Sequence, residues 1–130
     1  MSYAVSQALQ AAVYGALAGV GAPVFDALPS GPLPELYVTL GPETVRDRSG
    51  VGAKVARHDF TVSVISDASG FRSAKTVAGE ISDVLSDADL ALERGTLVAL
   101  DFLRARARRT SQEGVRRIDL IFRAIVDDDA

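Results

Sequence analysis

Apolar residues recur at two different periods along this chain. Val5, Ala8, Leu9, Ala12, Val13, Ala16 and Leu17 follow the i, i+3, i+4 spacing of an amphipathic helix, which predicts a helix over residues 3–17. Its stripe is alanine-rich, so it can lie close against a sheet. Gly19, Gly21 and Pro23 end it. Val24-Phe25-Asp26 reads as a short strand, and Pro29-Ser-Gly-Pro-Leu-Pro34 as a rigid connector. Leu36–Leu40 reads as a second strand. Gly41–Gly52 reads as a long polar loop, of the kind that usually carries function. Over Lys54–Ser66 the period changes to two. Phe60, Val62 and Val64 share one face while Asp59, Thr61 and Ser63 share the other, the pattern of a half-buried strand.

A second helical stripe follows, made of Phe71, Ala74, Val77, Ala78, Ile81, Val84 and Leu85, with Asp67–Gly70 available to cap it. Gly79 within it costs about 1 kcal/mol relative to alanine, which anticipates close packing there. Ser86–Gly95 is an acidic link. Two alternating runs, Leu97–Arg109 and Val115–Asp127, then flank the turn Thr110–Gly114 and predict a long hairpin. Its even positions are Val98, Leu100 and Phe102 on one strand, and Ile118, Leu120, Phe122, Ala124 and Val126 on the other. Extended toward the turn, the even positions become Arg104, Arg106, Arg108 and Arg116. At about 3.3 Å per residue, Phe102 to Arg109 spans roughly 20 Å, so the hairpin is expected to overhang the core as an arginine-lined ledge. The element order is α-β-β-β-α-β-β. It predicts a single α+β domain over residues 1–130, with two helices on one face of a mainly antiparallel sheet.

The chain has 130 residues, a usual length for one domain. Its net charge is −3, yet residues 104–117 hold six arginines (Arg104, Arg106, Arg108, Arg109, Arg116, Arg117) against one acid, Glu113. That segment is +6 − 1 = +5, which leaves −8 for the rest. Three readings of the cluster stand at this point. It can be a solvated tip, a partner for acidic surface on another subunit, or a contact to nucleic-acid phosphate. No aromatic lies between Phe102 and Phe122 to stack bases. The chain has no cysteine, hence no disulfide and no thiolate metal site. The first residues lack the basic region of a secretory signal, and no apolar run approaches the roughly 20 residues of a membrane helix.

Catalytic chemistry is not evident. The single histidine, His58, lies in a strand with no serine or cysteine motif to partner it. Gly50-Val-Gly-Ala-Lys54 lacks the spacing of a phosphate loop, and a strand rather than a helix follows it. Asp83, Asp87 and Asp89 have no calcium-loop spacing and read as a solvated helix face. Asp127–Asp129 reads as a solvated tail. The chain is therefore expected to be no enzyme and to need no cofactor or metal.

Weak motifs, taken in order, nevertheless resemble a known family. They are Ala8–Tyr14, Val24-Phe25-Asp26 followed by Pro29, Tyr37–Gly41, Val45-Arg46-Asp47 and His58–Val62. Ser66, Gly70, Ala74-Lys75, Leu97–Leu100 and Arg117–Ala124 complete the series. Over almost its whole length the chain resembles the tail-completion or tail-terminator proteins of long-tailed phages and gene transfer agents, which are similar to the terminator of phage lambda. The resemblance implies a virion protein, assembled in the bacterial cytoplasm, that forms a homo-hexameric ring at the head-proximal end of the tail. Such a ring stops polymerisation of the major tail tube protein and joins the tail to the head connector. DNA passes its lumen without sequence readout. On this view Arg104, Arg106, Arg108, Arg109, Arg116 and Arg117, with Arg46, Asp47 and Arg48 in the 41–53 loop, contact neighbouring subunits or the tube. A small nucleic-acid-binding module using the arginine-rich hairpin is the alternative.

Overall fold

A computed structural model describes residues 3–48, 50, 54–67, 71–112 and 114–128. Helix α1 spans Ala4–Ala16 and runs into a short 3₁₀ turn at Leu17–Gly19. Strands β1 (Val24–Phe25), β2 (Leu36–Asp47) and β3 (Val55–Ser66) follow, then helix α2 (Arg72–Leu85) and strands β4 (Thr96–Arg109) and β5 (Arg116–Asp127). The predicted order α-β-β-β-α-β-β is the observed one. The strands form one sheet in the order β1-β2-β3-β5-β4, antiparallel except for the short parallel pairing of β1 with β2.

Both helices lie on one face of this sheet. From α1, Val5, Leu9 and Val13 are buried, with Leu17 of the turn after it; from α2, Ala74, Val77, Ala78, Ile81 and Leu85. They meet the even positions of β3 and β5, where Phe60, Val62, Val64, Ile118, Leu120, Phe122, Ala124 and Val126 are all buried. Phe60 stacks on Phe122 with ring centroids 5.7 Å apart. Removing such apolar surface from water is the main force holding the layers together, at roughly 1.5–3 kcal/mol for each large side chain fully buried.

Five expectations need correction. First, β2 does not stop at Leu40. A bulge between Leu40 and Glu43 absorbs Gly41 and Pro42, and the strand continues to Asp47 against β3. Proline is tolerated there because a bulge on an edge strand frees its position from the ladder. Second, the hairpin does not overhang. β5 is an inner strand, paired with β3 along its length from Val55↔Asp127 to Ser66↔Arg116. Third, the described part of Asp67–Gly70 supplies no cap to α2. Phe71 is the N-cap, with no side-chain cap bond, and residues 68–70 lie outside the described residues. Fourth, a Cβ built on Gly79 would meet nothing within 4 Å, so close packing is not the reason for that glycine. Fifth, the C-terminal acids are not all solvated. Asp128 is buried and takes a two-bond clasp from Arg94 at 3.0 and 3.1 Å.

Candidate interaction face

The arginines are positioned by a one-residue irregularity in β4. A first shift, at Val98, puts Leu97 rather than Val98 opposite Val126; from Ala99 to Phe102 the strand keeps the expected parity, with Leu100 buried opposite Ala124 and Phe102 opposite Phe122. A bulge between Phe102 and Arg104 then inserts Leu103 and reverses the two faces. Beyond it, Ala105 pairs with Leu120 and Ala107 with Ile118 on the helix-covered side. Arg104, Arg106 and Arg108 pair with Ile121, Asp119 and Arg117 on the other. The arginines therefore do not continue the core-facing side, as the unbroken alternation implied. They stand on the open face of the sheet. The signal was present in the sequence: the adjacent apolar pair Phe102-Leu103 breaks the alternation and marks the insertion.

The register assigns the open face a set of charges. Arg46 lies on β2 opposite Arg57 on β3, and Asp59 lies opposite Arg123 on β5. Across β5 and β4, Asp101 is opposite Arg123 and Arg106 opposite Asp119, with Asp127 at the end of the row. Arg46, Arg57, Arg104, Arg106, Arg108, Arg117 and Arg123 against Asp59, Asp101, Asp119 and Asp127 give +7 − 4 = +3 among the described residues of this face. Two carboxylates organise it. Asp59 accepts a bidentate pair from Arg123 at 2.9 and 3.2 Å, with Arg57 at 3.7 Å. Asp119 accepts from Ser63 at 2.6 Å and Arg117 at 2.8 Å, with Arg108 at 3.7 Å. The Arg123 hydrogen bond holds the Asp59 carboxyl below its usual range. Burial alone would push Asp119 up, but its bonds to Ser63 and Arg117 more than offset that, and it too lies below its usual range. Arg104 and Arg106 are exposed and enter no ion pair among the described residues.

The other predicted residues disperse. Arg116 turns to the helix side, its guanidinium 5.4 Å from the Phe71 ring centroid. Arg109 pairs with Arg116 at the hairpin tip. Arg46 and Asp47 end β2, on opposite faces, and Arg48 follows with its N–H donating to the Val55 carbonyl at 2.7 Å. That corner adjoins Val55 and Asp127, whereas the hairpin tip adjoins Ser66 and Arg116, about 36 Å away along β3. The structure thus does not bring the 41–53 segment and the hairpin tip together. Residues 49 and 51–53 of that segment, and Glu113 of the turn, lie outside the described residues.

Sequence reasoning did not anticipate a polar cluster under α1. His58 is fully buried on the helix-covered side, its Nδ1 3.3 Å from Glu43 Oε2, and Ser6 Oγ donates to the other oxygen of Glu43. Burial pushes the Glu43 carboxyl up, but the bonds to His58 and Ser6 outweigh it, leaving the group below its usual range. This ties α1 to the part of β2 beyond the bulge. No group of three or more His, Cys, Asp or Glu side chains that could hold a metal occurs among the described residues, and no helix among them is long and apolar enough to cross a membrane.

The profile of one protein family, the tail completion protein gp17 family, matches residues 3–127. No curated protein matches the chain. Among solved structures, a chain of the virion of a native gene transfer agent particle is 53% identical, with a TM-score of 0.91. The alignment covers 97% of this chain and 99% of that one. With the profile spanning nearly every residue and the fold agreeing throughout, the chain belongs to the tail completion protein gp17 family.

Proposed function

We propose that this protein is a subunit of a ring that closes the head-proximal end of a phage-type tail, in a phage or gene transfer agent particle. Membership of the tail completion family makes its role structural, within a virion tail. The ring stops polymerisation of the major tail tube protein, offers a surface to the head connector and lets DNA through its centre. The observation that carries the reading is the near-complete match, at 53% identity, to a chain of a gene transfer agent virion.

The open sheet face is the surface offered to the tube end or connector. Its positive balance, and the two exposed arginines with no acid partner among the described residues, favour an acidic counter-surface. A sheet face presenting planar guanidinium groups can form many such contacts at once. Changing Arg104, Arg106 and Arg108 to glutamate reverses the charge without touching the core. The expected result is a folded protein, by circular dichroism and thermal unfolding, that no longer supports finished, infectious or transducing particles. Normal particles from that triple variant would overturn the assignment of this face.

A further inference from the structure

We infer that copies of this chain join head to tail, the basic end of α2 in one copy set against the acidic link after α2 in the next. This rests on the ring reading above and names the surfaces that join its subunits. At the basic end, four cations gather on the helix side of the hairpin tip. Lys75 Nζ lies 5.9 Å, and the Arg116 guanidinium 5.4 Å, from the centroid of one ring, Phe71. Arg109 is the cross-strand partner of Arg116, and Arg72 opens α2. At the acidic end, Asp83 in the last turn of α2 is followed by Asp87, Asp89 and Glu93, and all four are exposed. The Asp87 N–H donates to the Leu100 carbonyl at 3.0 Å, which fixes that link against β4.

Both sets include charges that stand where they cost the fold stability. The helix dipole favours acids in the first turn and bases in the last. Helix α2 has neither, and instead places Arg72 and Lys75 at its start and Asp83 at its end. Four residues on from Arg72 and Lys75 are Thr76 and Gly79, so no acid offsets either cation along the helix. The other acid of α2, Glu80, accepts from the Gly21 N–H at 3.1 Å. Arg109 opposite Arg116 is a like-charged cross-strand pair, which weakens a sheet. None of the eight side chains enters an ion pair among the described residues. Charges kept against the local electrostatics mark a surface shaped for a partner.

That partner is a second copy, because the two sets match in charge and cannot neutralise each other within one chain. Arg72, Lys75, Arg109 and Arg116 give +4; Asp83, Asp87, Asp89 and Glu93 give −4. Even Lys75 and Asp83 lie about 12 Å apart along the helix axis. That exceeds the roughly 8 Å over which exposed charges act at physiological salt. The acidic end also leaves Val84 40% and Val98 62% exposed, and the basic end holds the half-buried Phe71, so the contact has apolar area to cover within its charged rim. Each copy contributes a different surface to such a contact, which is therefore heterologous. It closes into a ring when the rotation per subunit divides the circle.

Charge reversal with rescue tests the pairing. The basic-end variant carries Arg72→Glu, Lys75→Glu and Arg109→Glu; the acidic-end variant carries Asp83→Lys, Asp89→Lys and Glu93→Lys. Asp87 is left in place because its φ of 57° suits aspartate better than lysine. In a producing strain lacking the chain, each variant alone is expected to lose finished particles, and a chain carrying both sets to regain them. Each purified variant should unfold at the same temperature as the unaltered chain or higher, since the reversals agree with the helix dipole; lower midpoints would overturn the claim that these charges cost the fold stability. Loss in both variants without recovery in the combined chain would overturn the copy-to-copy pairing in favour of a foreign partner. Normal particles from either variant, where quantitative mass spectrometry counts several copies per particle, would overturn the pairing but leave the ring. A single copy per particle would overturn both.

Discussion

Phe102 and Phe122 face each other across β4 and β5 with ring centroids 5.7 Å apart, yet Phe122 is fully buried and Phe102 is 42% exposed. The difference is one of strand position, since Phe122 sits on the inner strand β5 and Phe102 on β4, the outermost strand. Replacing Phe122 by alanine leaves a cavity between Phe60 and Phe102 and should cost about 3–5 kcal/mol. Phe102→Ala loses fewer contacts and should cost less than half of that. Urea unfolding of the two variants, compared at equal slope, checks the ranking.

Two glycines should respond in opposite directions to alanine. Gly95 opens β4 at a φ of +80°, and a Cβ there would lie 2.9 Å from the Asp127 carbonyl oxygen. Both the backbone strain and the clash oppose Gly95→Ala, with an expected loss of about 1–3 kcal/mol. Gly79 lies inside α2 with open space where its Cβ would be. Gly79→Ala should stabilise the isolated chain by up to about 1 kcal/mol. Thermal unfolding midpoints moving down and up respectively are the expected result.

Acid should weaken the fold through three carboxyls. Glu43, Asp59 and Asp119 are held below their ordinary values of 4.5, 3.8 and 3.8. A depressed folded value means the unfolded chain takes up protons first as pH falls. The stabilisation is therefore complete above about pH 5 and is lost as pH drops through the lower, folded values. Unfolding free energy measured against pH should be flat near neutrality and fall below about pH 4.5. Asp119→Asn, which cannot titrate, should make that fall shallower.

Binding to DNA separates the proposed role from the nucleic-acid-module alternative. A ring that only lets DNA pass needs no sequence preference and no tight grip. Any binding by the purified chain should be sequence-independent and should vanish between low and physiological salt, because phosphate contacts release counterions. Tight binding to a particular sequence at physiological salt would favour the alternative.

Residue patterns predicted the helices, the element order and the inner strands, because burial at period 3.6 or 2 leaves its mark directly on composition. They failed where the backbone adds a residue. Gly41-Pro42 has the chemistry of a loop and is a bulge within β2, since pairing resumes at Glu43. The Arg-Ala alternation over 104–108 fixes two faces but not which one is covered. Leu103 decides that: it turns the alanines to the helix side of the sheet, where both stay exposed, and the arginines to the other. His58 drew attention as the only histidine. Its partner Glu43 is not legible, because Gly41-Pro42 gives that segment the chemistry of a loop and the contact spans 15 residues. Family membership was legible from the order of weak motifs, none of which carries a chemical mechanism alone.

The length of tails made without this protein tests the central claim most directly. In a producing strain lacking the chain, electron microscopy should show tail tubes of variable and excessive length, detached from DNA-filled heads. Supplying the intact chain should restore a single length and the junction. Tails of normal, uniform length joined to heads in its absence would contradict the account.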